Sequence, residues 1–216
     1  MRTSSEDEIS AVIGLRRHLF AVADIRRTGD SVVVVLRSTA ARSYRLIGGN
    51  DVDISRIEAR LQALEDAEAI RTLKARYLFS CDRKDTAGMR ACFADGEVQI
   101  DYGVIGTFTS ADALVQVFRE IGCHDHMVEM HHGANPQIEV LDASRARGTW
   151  SLQYGLINTQ AGTVTQLGGY YEDEYRKIDG AWKMTATRFV ATSTLVLQLG
   201  ADKVQSLFAG RQPPVG

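Results

Sequence analysis

The feature that most limits the fold of this sequence is that a helical pattern of apolar residues comes before a series of strand-like patterns. Apolar side chains recur at mainly three- and four-residue steps between Ile54 and Tyr77, which predicts a long amphipathic helix after Asp53 that ends near Cys81. Helices followed by antiparallel strands indicate an α+β fold rather than parallel βαβ units. We therefore predict a cone-shaped α+β barrel, with N-terminal helices packed on a curved antiparallel or mixed sheet around an apolar interior. The candidate strands are residues 136–141, 146–158, 168–176 and 182–191.

Two shorter helices are predicted between the long helix and these strands. Asp85 is expected to open a helix that continues to Phe93. Residues 110–121 are expected to form a third helix, capped by Ser110 or Asp112. Tight turns between strands are predicted at residues 141–144 and 178–180, and the second contains the Asp-Gly pair typical of hairpins.

The first fifty residues differ in character from the rest of the chain. They carry eight arginines, no lysine and five acidic residues, whereas the whole chain has a net charge of −2. We predict a short helix over residues 9–23 and a β-hairpin from residues 31–38 and 41–49, with a break at 48–50. The predicted organisation is an N-terminal extension over 1–50, a main domain over 53–192 and a C-terminal tail over 193–216.

Composition and motifs exclude several functional classes. The small net charge gives no general attraction to nucleic acid or to an anionic membrane. No apolar run is long enough to cross a bilayer, and the acidic, polar N-terminus is unlike a signal peptide. Three cysteines without a CxxC motif favour reduced thiols, so we predict a cytoplasmic protein. There is no nucleotide-binding fingerprint, and Gly168-Gly169-Tyr170-Tyr171 lacks the context of a phosphate loop.

Two adjacent histidines, His131 and His132, stand where a predicted strand begins. Neighbouring side chains of a strand point to opposite faces, so only one of them is expected to line an interior. Histidine exchanges protons readily near neutral pH, but a usable base also needs a partner that orients its second ring nitrogen. Asp82, at the end of the long helix, is the candidate partner. The alternatives are an ordinary satisfied histidine and an aspartate solvated beside Arg83 and Lys84.

Two tyrosines are candidates for hydrogen-bond donors. Tyr102 follows Val98 and Ile100 on one face of a strand predicted over residues 96–103, whereas Tyr77 lies five residues before Asp82. That separation is about 140° around an ideal helix, so the helix must loosen or the cavity must wrap around it. For both tyrosines, a core position with a satisfied hydroxyl is the alternative.

A metal site is a less favoured interpretation. His124, Asp125, His126 and His131 are close in sequence, but no zinc-binding spacing supports a site. We therefore predict neither a metal nor an organic cofactor.

The ordered segments AIRTLKARY, CDRKD, VQIDYG, MHHGANPQIEV, RARGTW and GGYYEDEYRKIDGAWK resemble SnoaL-like enzymes of the nuclear-transport-factor-2-like superfamily over residues 53–192. The resemblance implies a His–Asp dyad that removes a proton while hydroxide or chloride departs, without a cofactor. It places the dyad at His131 and Asp82 and matches family tyrosines to Tyr77 and Tyr102. The chain departs from some relatives, since Cys81 replaces a tyrosine, no histidine occurs over 166–169, and a family arginine would fall near Ala191.

These observations lead to a functional prediction. We predict a lyase that carries out dehydratase-like elimination on a hydrophobic cyclic small molecule, with an isomerase, a cyclase or a non-catalytic binding module as alternatives. His131 would be the base, Asp82 its partner, and Tyr102 or Tyr77 the donor to an oxyanion or leaving group. The protein is expected to form a homo-oligomer, a trimer or dimer, without nucleic-acid or membrane partners. The residues expected to contact the substrate are Val98, Ile100, Trp150, Tyr171 and Arg188.

Overall fold

The structure is a computed structural model that describes residues 20–28, 31–38, 43–46, 52–198 and 200, with side chains from residue 54 onward. The chain divides into two compact units, Met1–Leu64 and Glu65–Gly216. This division falls inside the long helix Ile54–Asp82. None of the described helices is long and apolar enough to cross a membrane.

The described residues of the first unit that precede the long helix form a four-stranded antiparallel sheet in the order β1-β2-β3-β4. The predicted hairpin is confirmed, because β2 pairs with β3. The helix predicted over 9–23 is wrong where it can be examined, since residues 20–23 belong to β1; its remainder, like the break at 48–50, lies outside the described residues. β1 pairs with a valine-rich neighbour, and this pairing overrides the local helical spacing. The strands are β1 Phe20–Thr28, β2 Ser31–Ser38, β3 Ser43–Leu46 and β4 Val52–Asp53.

The described residues from 54 onward contain three α-helices, α1 Ile54–Asp82, α2 Thr86–Ala91 and α3 Ala111–Ile121. The predicted caps of the short helices are confirmed. The Asp85 side chain accepts a hydrogen bond from the Gly88 backbone N–H, and Ser110 Oγ, rather than Asp112, accepts one from Ala113. The helix α1 has a buried apolar face only in its C-terminal half. Ile57, Leu61 and Leu64 are exposed, whereas Ile70, Leu73, Tyr77 and Leu78 are buried.

The second unit contains a six-stranded mixed sheet in the order β6-β5-β10-β9-β8-β7. Only the β5–β10 pair is parallel, and the sheet is open rather than closed. Helices packed on such a sheet confirm the predicted cone-shaped α+β fold. The strands are β5 Gln99–Asp101, β6 Thr107–Phe108, β7 Met127–Val140, β8 Arg145–Asn158, β9 Thr163–Ile178 and β10 Ala181–Gln198.

Several strands are longer than the sequence predicts. β7 begins at Met127 and passes through Pro136, because a bulge between Ala134 and Gln137 lets this edge strand tolerate a proline. β10 continues to Gln198, opposite Thr163, so the tail predicted over 193–216 begins inside a strand. In each case, pairing with the neighbouring strand determines where the strand ends.

Both predicted turns are present. Asp179 and Gly180 have φ values of 49° and 80°, the two positive angles of a type I′ hairpin turn. At the other turn, Asp142 Oδ1 accepts hydrogen bonds from the backbone N–H groups of Ser144 and Arg145. Asp66 of α1 accepts hydrogen bonds from Lys177 and Trp182, which attaches the helix to the β9–β10 hairpin.

Candidate active site

Asp82 and His131 form a hydrogen-bonded pair. Asp82 is the last residue of α1, and its Oδ1 lies 2.6 Å from Nδ1 of His131 on β7. The same carboxylate accepts from the backbone N–H of His131, at 3.0 Å to Oδ1 and 3.3 Å to Oδ2. An ionised carboxylate only accepts hydrogen bonds, so in a neutral imidazole paired with it the ring proton is on Nδ1 and Nε2 is free to accept a proton. The distance agrees with that expected for the predicted dyad.

The two histidines have different surroundings, as expected for neighbours on a strand. His131 lines a cavity, and its side chain is 12% exposed. His132 is exposed. Both residues lie well inside β7, because this strand begins four residues before His131. Asp82 does not line the cavity and contacts it only through His131.

The cavity has a volume of about 320 Å³ and is walled by α1, α3 and the sheet. We call the sheet face that lines this cavity the inner face. Most of its lining is apolar, including Leu114, Val117, Phe118 and Ile121 of α3 and Leu152 and Leu156 of β8. The polar groups at the cavity are few, which is the arrangement typical of a small-molecule site.

A pair of tyrosine hydroxyls faces the same cavity. The hydroxyl oxygens of Tyr77 and Tyr102 lie 2.7 Å apart, and both residues line the cavity. Burial raises the pKa of both phenols above the ordinary value of 10.0, so they stay protonated at neutral pH. Tyr77 lines the cavity itself, whereas Asp82 contacts His131, which lines the cavity. Both residues can therefore belong to one site although they point in different directions from α1.

A buried ion pair lies behind the tyrosines. Lys74 is fully buried, and its Nζ lies 2.8 Å from Asp173 Oδ2, close enough for an ion pair but not aligned as a hydrogen bond. The ammonium also lies 3.5 Å from the centre of the Tyr171 ring, which lines the cavity. Asp173 accepts further hydrogen bonds from Tyr175 and Thr187, each at 2.7 Å. Burial lowers the pKa of Lys74, while Asp173 opposes that shift.

Four of the five predicted substrate contacts do not line this cavity. Val98 and Ile100 are buried in the core. The strand ends at Asp101 and the chain turns at Tyr102, so Tyr102 does not share a strand face with Val98 and Ile100. Trp150 is also in the core, where its indole N–H donates to Tyr175 at 3.0 Å. Tyr171 does line the cavity.

The fourth, Arg188, lies on the outer face of the sheet. It alternates with Phe189, which lines the cavity, and it pairs instead with Glu172 at 2.9 Å and Asp101 at 3.7 Å. This outer face holds a larger and more open groove of about 970 Å³, whose charged residues include Arg147 and Arg188. Neither member of the dyad lines that groove.

Sequence reasoning missed three residues beside His131, namely Lys84, Glu129 and Tyr154. Glu129 and Tyr154 line the cavity, and Tyr154 is the cross-strand partner of His131. Two-residue alternation back from His131 would have indicated Glu129 if β7 had been predicted to begin at Met127. The position of Tyr154 depends on the β7–β8 register, which sequence alone did not specify.

The residues considered as metal ligands do not come together. In the described part of the chain, no group of three or more His, Cys, Asp or Glu side chains is placed to hold a metal ion. The rings of His124 and His126 stack with centroids 5.2 Å apart, while His131 is engaged with Asp82.

Comparison with known proteins gives one family match and several similar folds. A sequence profile of the SnoaL-like domain matches residues 62–188. A protein assigned as a scytalone dehydratase from Novosphingobium aromaticivorans is 20% identical, with 72% of this chain and 98% of that chain covered and a TM-score of 0.58. The hexachlorocyclohexane dehydrochlorinase LinA type 3 from Novosphingobium barchaimii LL02 is 17% identical over 72% of this chain and 99% of that chain, with a TM-score of 0.59. These similarities are similarities of fold.

Proposed function

Because this chain belongs to the SnoaL-like domain family, with more than half of its length matched, we propose that it is a cofactor-independent lyase acting on a hydrophobic cyclic small molecule. One observation carries the proposal: the imidazole of His131 lines an apolar cavity while a carboxylate holds its Nδ1 at 2.6 Å. A purely apolar binding pocket has no need of such a pair.

In the proposed reaction, His131 Nε2 removes a proton from the carbon next to a carbonyl group. The electron pair of that C–H bond forms the new C=C bond as the bond to the leaving group on the adjacent carbon breaks. A departing hydroxide takes a proton back from the imidazolium and leaves as water. Asp82 keeps the reactive tautomer and stabilises the imidazolium between these steps.

The tyrosine pair would stabilise negative charge that develops on the substrate oxygen. Both hydroxyls are protonated at neutral pH, since burial raises their pKa, and one of the pair retains a proton to donate to a bound oxyanion. Oxyanion stabilisation is common to elimination, isomerisation and cyclisation, so these alternatives differ in what happens after proton removal.

The cavity favours a small, neutral substrate. Its volume of about 320 Å³ is near the lower end of the range of about 300–1,000 Å³ found for ligand pockets. No lysine or arginine occurs among the described residues that line it, whereas Glu129 does. A carboxylated substrate would therefore lose its hydration without gaining a cation, which is costly. A neutral ring compound with a carbonyl group fits this lining better.

The names of two structural relatives are consistent with elimination. One is assigned as a dehydratase and the other is a dehydrochlorinase, and these names describe loss of water and of hydrogen chloride. They support a lyase here, although neither substrate is carried over to this chain.

The proposal is tested with 3-hydroxy-1-tetralone, a neutral bicyclic β-hydroxyketone whose dehydration product rearranges to a naphthol. We expect His131-dependent formation of the naphthol, followed by absorbance, and slower turnover of a carboxylated analogue of the same ring. Exchange of the α-proton without water loss would favour an isomerase or cyclase. Binding without exchange or elimination across a panel of neutral cyclic ketones would favour a non-catalytic module.

A further inference from the structure

We propose that Lys84, Glu129 and Tyr154 form a positioning group that holds the imidazole of His131 in the orientation set by Asp82. The proposal rests on the proposed role of His131 as the base. None of the three residues is assigned to the proton transfer itself, and each acts through its contacts with the next.

The first link is an ion pair between Lys84 and Glu129 that is almost removed from water. Lys84 Nζ donates to Glu129 Oε2, and the two side chains are only 5% and 10% exposed. The other carboxylate oxygen, Oε1, accepts a hydrogen bond from the hydroxyl of Tyr154 at 2.9 Å. Both oxygens of Glu129 are therefore occupied, which fixes the end of the Tyr154 side chain.

The second link joins Tyr154 to the imidazole. Tyr154 lies directly opposite His131 in the β7–β8 ladder, and the two ring centroids are 4.8 Å apart with an edge-to-face angle of 60°. Glu129 is two residues before His131, so it lies on the same face of β7. Asp82 fixes Nδ1, whereas the phenol ring packs against the imidazole and limits its rotation. Together they restrict the direction in which Nε2 points.

The backbone conformation of Lys84 is an independent indication that its side chain has a functional role. Its φ is 59°, in the left-handed region that favours glycine or asparagine just after a helix. Lysine is an unfavourable residue for this position. Its ammonium nevertheless pairs with Glu129 and lies 5.5 Å from the centre of the Phe118 ring on α3. Such a backbone outlier beside a candidate site is a reason to infer a functional role.

The ion pair also helps to fix the end of α1 against β7, the two elements that carry Asp82 and His131. Asp82 and Lys84 are two residues apart at the end of α1, and each bonds to β7, at His131 and at Glu129. Two attachment points restrict rotation of the helix end against the strand more than one does. A buried ion pair is often replaceable by apolar residues without loss of stability, so stability alone does not account for this one.

The experiment compares two variants with a matched control. Tyr154→Phe keeps the ring but removes the hydrogen bond to Glu129. The double variant Lys84→Met with Glu129→Gln removes both charges, so that no buried charge is left unpaired. The control is Glu68→Gln, which breaks an exposed ion pair with Arg71 on α1, the helix that carries Asp82.

The first measurement needs no substrate. With ¹⁵N-labelled histidine, NMR of the wild-type protein should show a single His131 Nδ1–H tautomer with slow exchange of that proton. Both test variants should show faster exchange of the proton or a mixture of tautomers, whereas the control should match the wild type. Because no turnover is involved, this measurement decides the positioning role even if the proposed lyase function fails.

The second measurement is α-proton exchange of 1-tetralone in D₂O. We expect kcat to fall by about 10- to 100-fold in both test variants with little change in KM, because a small misplacement of the base is costly to proton transfer. Glu68→Gln should stay within about twofold. The proposal would be overturned if both test variants were folded and showed the wild-type His131 spectrum and the wild-type rate of 1-tetralone exchange. It would also be overturned if the loss of activity only matched the fraction of unfolded protein.

Discussion

A single carboxylate contacts both the backbone and the ring of the candidate base. Asp82 accepts from the backbone N–H and from the ring Nδ1 of His131, so the strand and the imidazole are held by the same group. An amide at this position would keep the shape but would offer a donor as well as an acceptor. Residue 82 is therefore expected to be sensitive to an isosteric change.

Substitutions in the dyad should be ordered by role. With 3-hydroxy-1-tetralone, His131→Ala should abolish nearly all turnover, and Asp82→Asn should lower kcat by about 10³- to 10⁴-fold through the wrong tautomer. Tyr102→Phe should cost about 10- to 1,000-fold, as for one lost donor to an oxyanion. His132→Ala is the control on the other face of β7 and should have little effect. Retention of most activity in folded His131→Ala would require another base.

The buried ion pair of Lys74 and Asp173 gives a prediction about stability. Lys74→Met leaves Asp173 charged and buried without its cation, so the free energy of unfolding in urea should fall by about 3–5 kcal/mol. The matched control is Arg71→Met on the same helix, where an exposed pair with Glu68 at 3.2 Å is lost and about 0.5 kcal/mol or less is expected. Equal losses in the two variants would show that burial of the Lys74–Asp173 pair is unimportant.

Turns, helix caps and helix ends could be predicted from the sequence, whereas strand pairing could not. The Asp179-Gly180 turn, the Ser110 cap and the end of α1 follow from residues within a few positions of each other. The start of β7 does not, because Gly133 and Pro136 suggest a break that a bulge accommodates. This error hid Glu129 and Tyr154, whereas residue type and the family resemblance both pointed to Asp82 and His131 without knowledge of the register.

Five tyrosines of the second unit give a pH prediction. Burial is the first cause that raises the pKa of Tyr77, Tyr102, Tyr154, Tyr171 and Tyr175 above 10.0. Since the folded pKa exceeds the unfolded one, their contribution to stability is complete below about pH 10 and is lost as the pH rises through the folded values.

Phenolate absorbance measures this effect directly. The chain has seven tyrosines, so at most two of them should ionise near pH 10 in the folded protein, whereas all seven should do so in urea. The free energy of unfolding should fall correspondingly above that pH. Equal absorbance changes for the folded and unfolded chains would contradict the described burial.

For the whole molecule, the outer face of the sheet is the basis of a prediction about assembly. In the single chain this face holds an open groove of about 970 Å³ with charges of both signs, including Arg188, Arg147, Glu172 and Glu139. We expect a homo-oligomer that buries this face, measured by sedimentation at micromolar concentration. Arg188→Glu replaces the cation that pairs with Glu172 by a second carboxylate, so an interface on this face would have to remove two unpaired like charges from water, and association should weaken. Arg71→Glu on α1 should leave association unchanged. A wild-type monomer would refute this expectation.

In the proposed mechanism, His131 is held by Asp82 and removes a proton from a substrate in the cavity. Proton NMR of 1-tetralone in D₂O measures that step alone, before any leaving group is needed. We predict enzyme-catalysed exchange of the α-protons that His131→Ala abolishes, that Asp82→Asn lowers severely and that His132→Ala leaves unchanged. Exchange at the wild-type rate in folded His131→Ala would contradict this mechanism, as would no exchange of any neutral cyclic ketone by the wild-type protein.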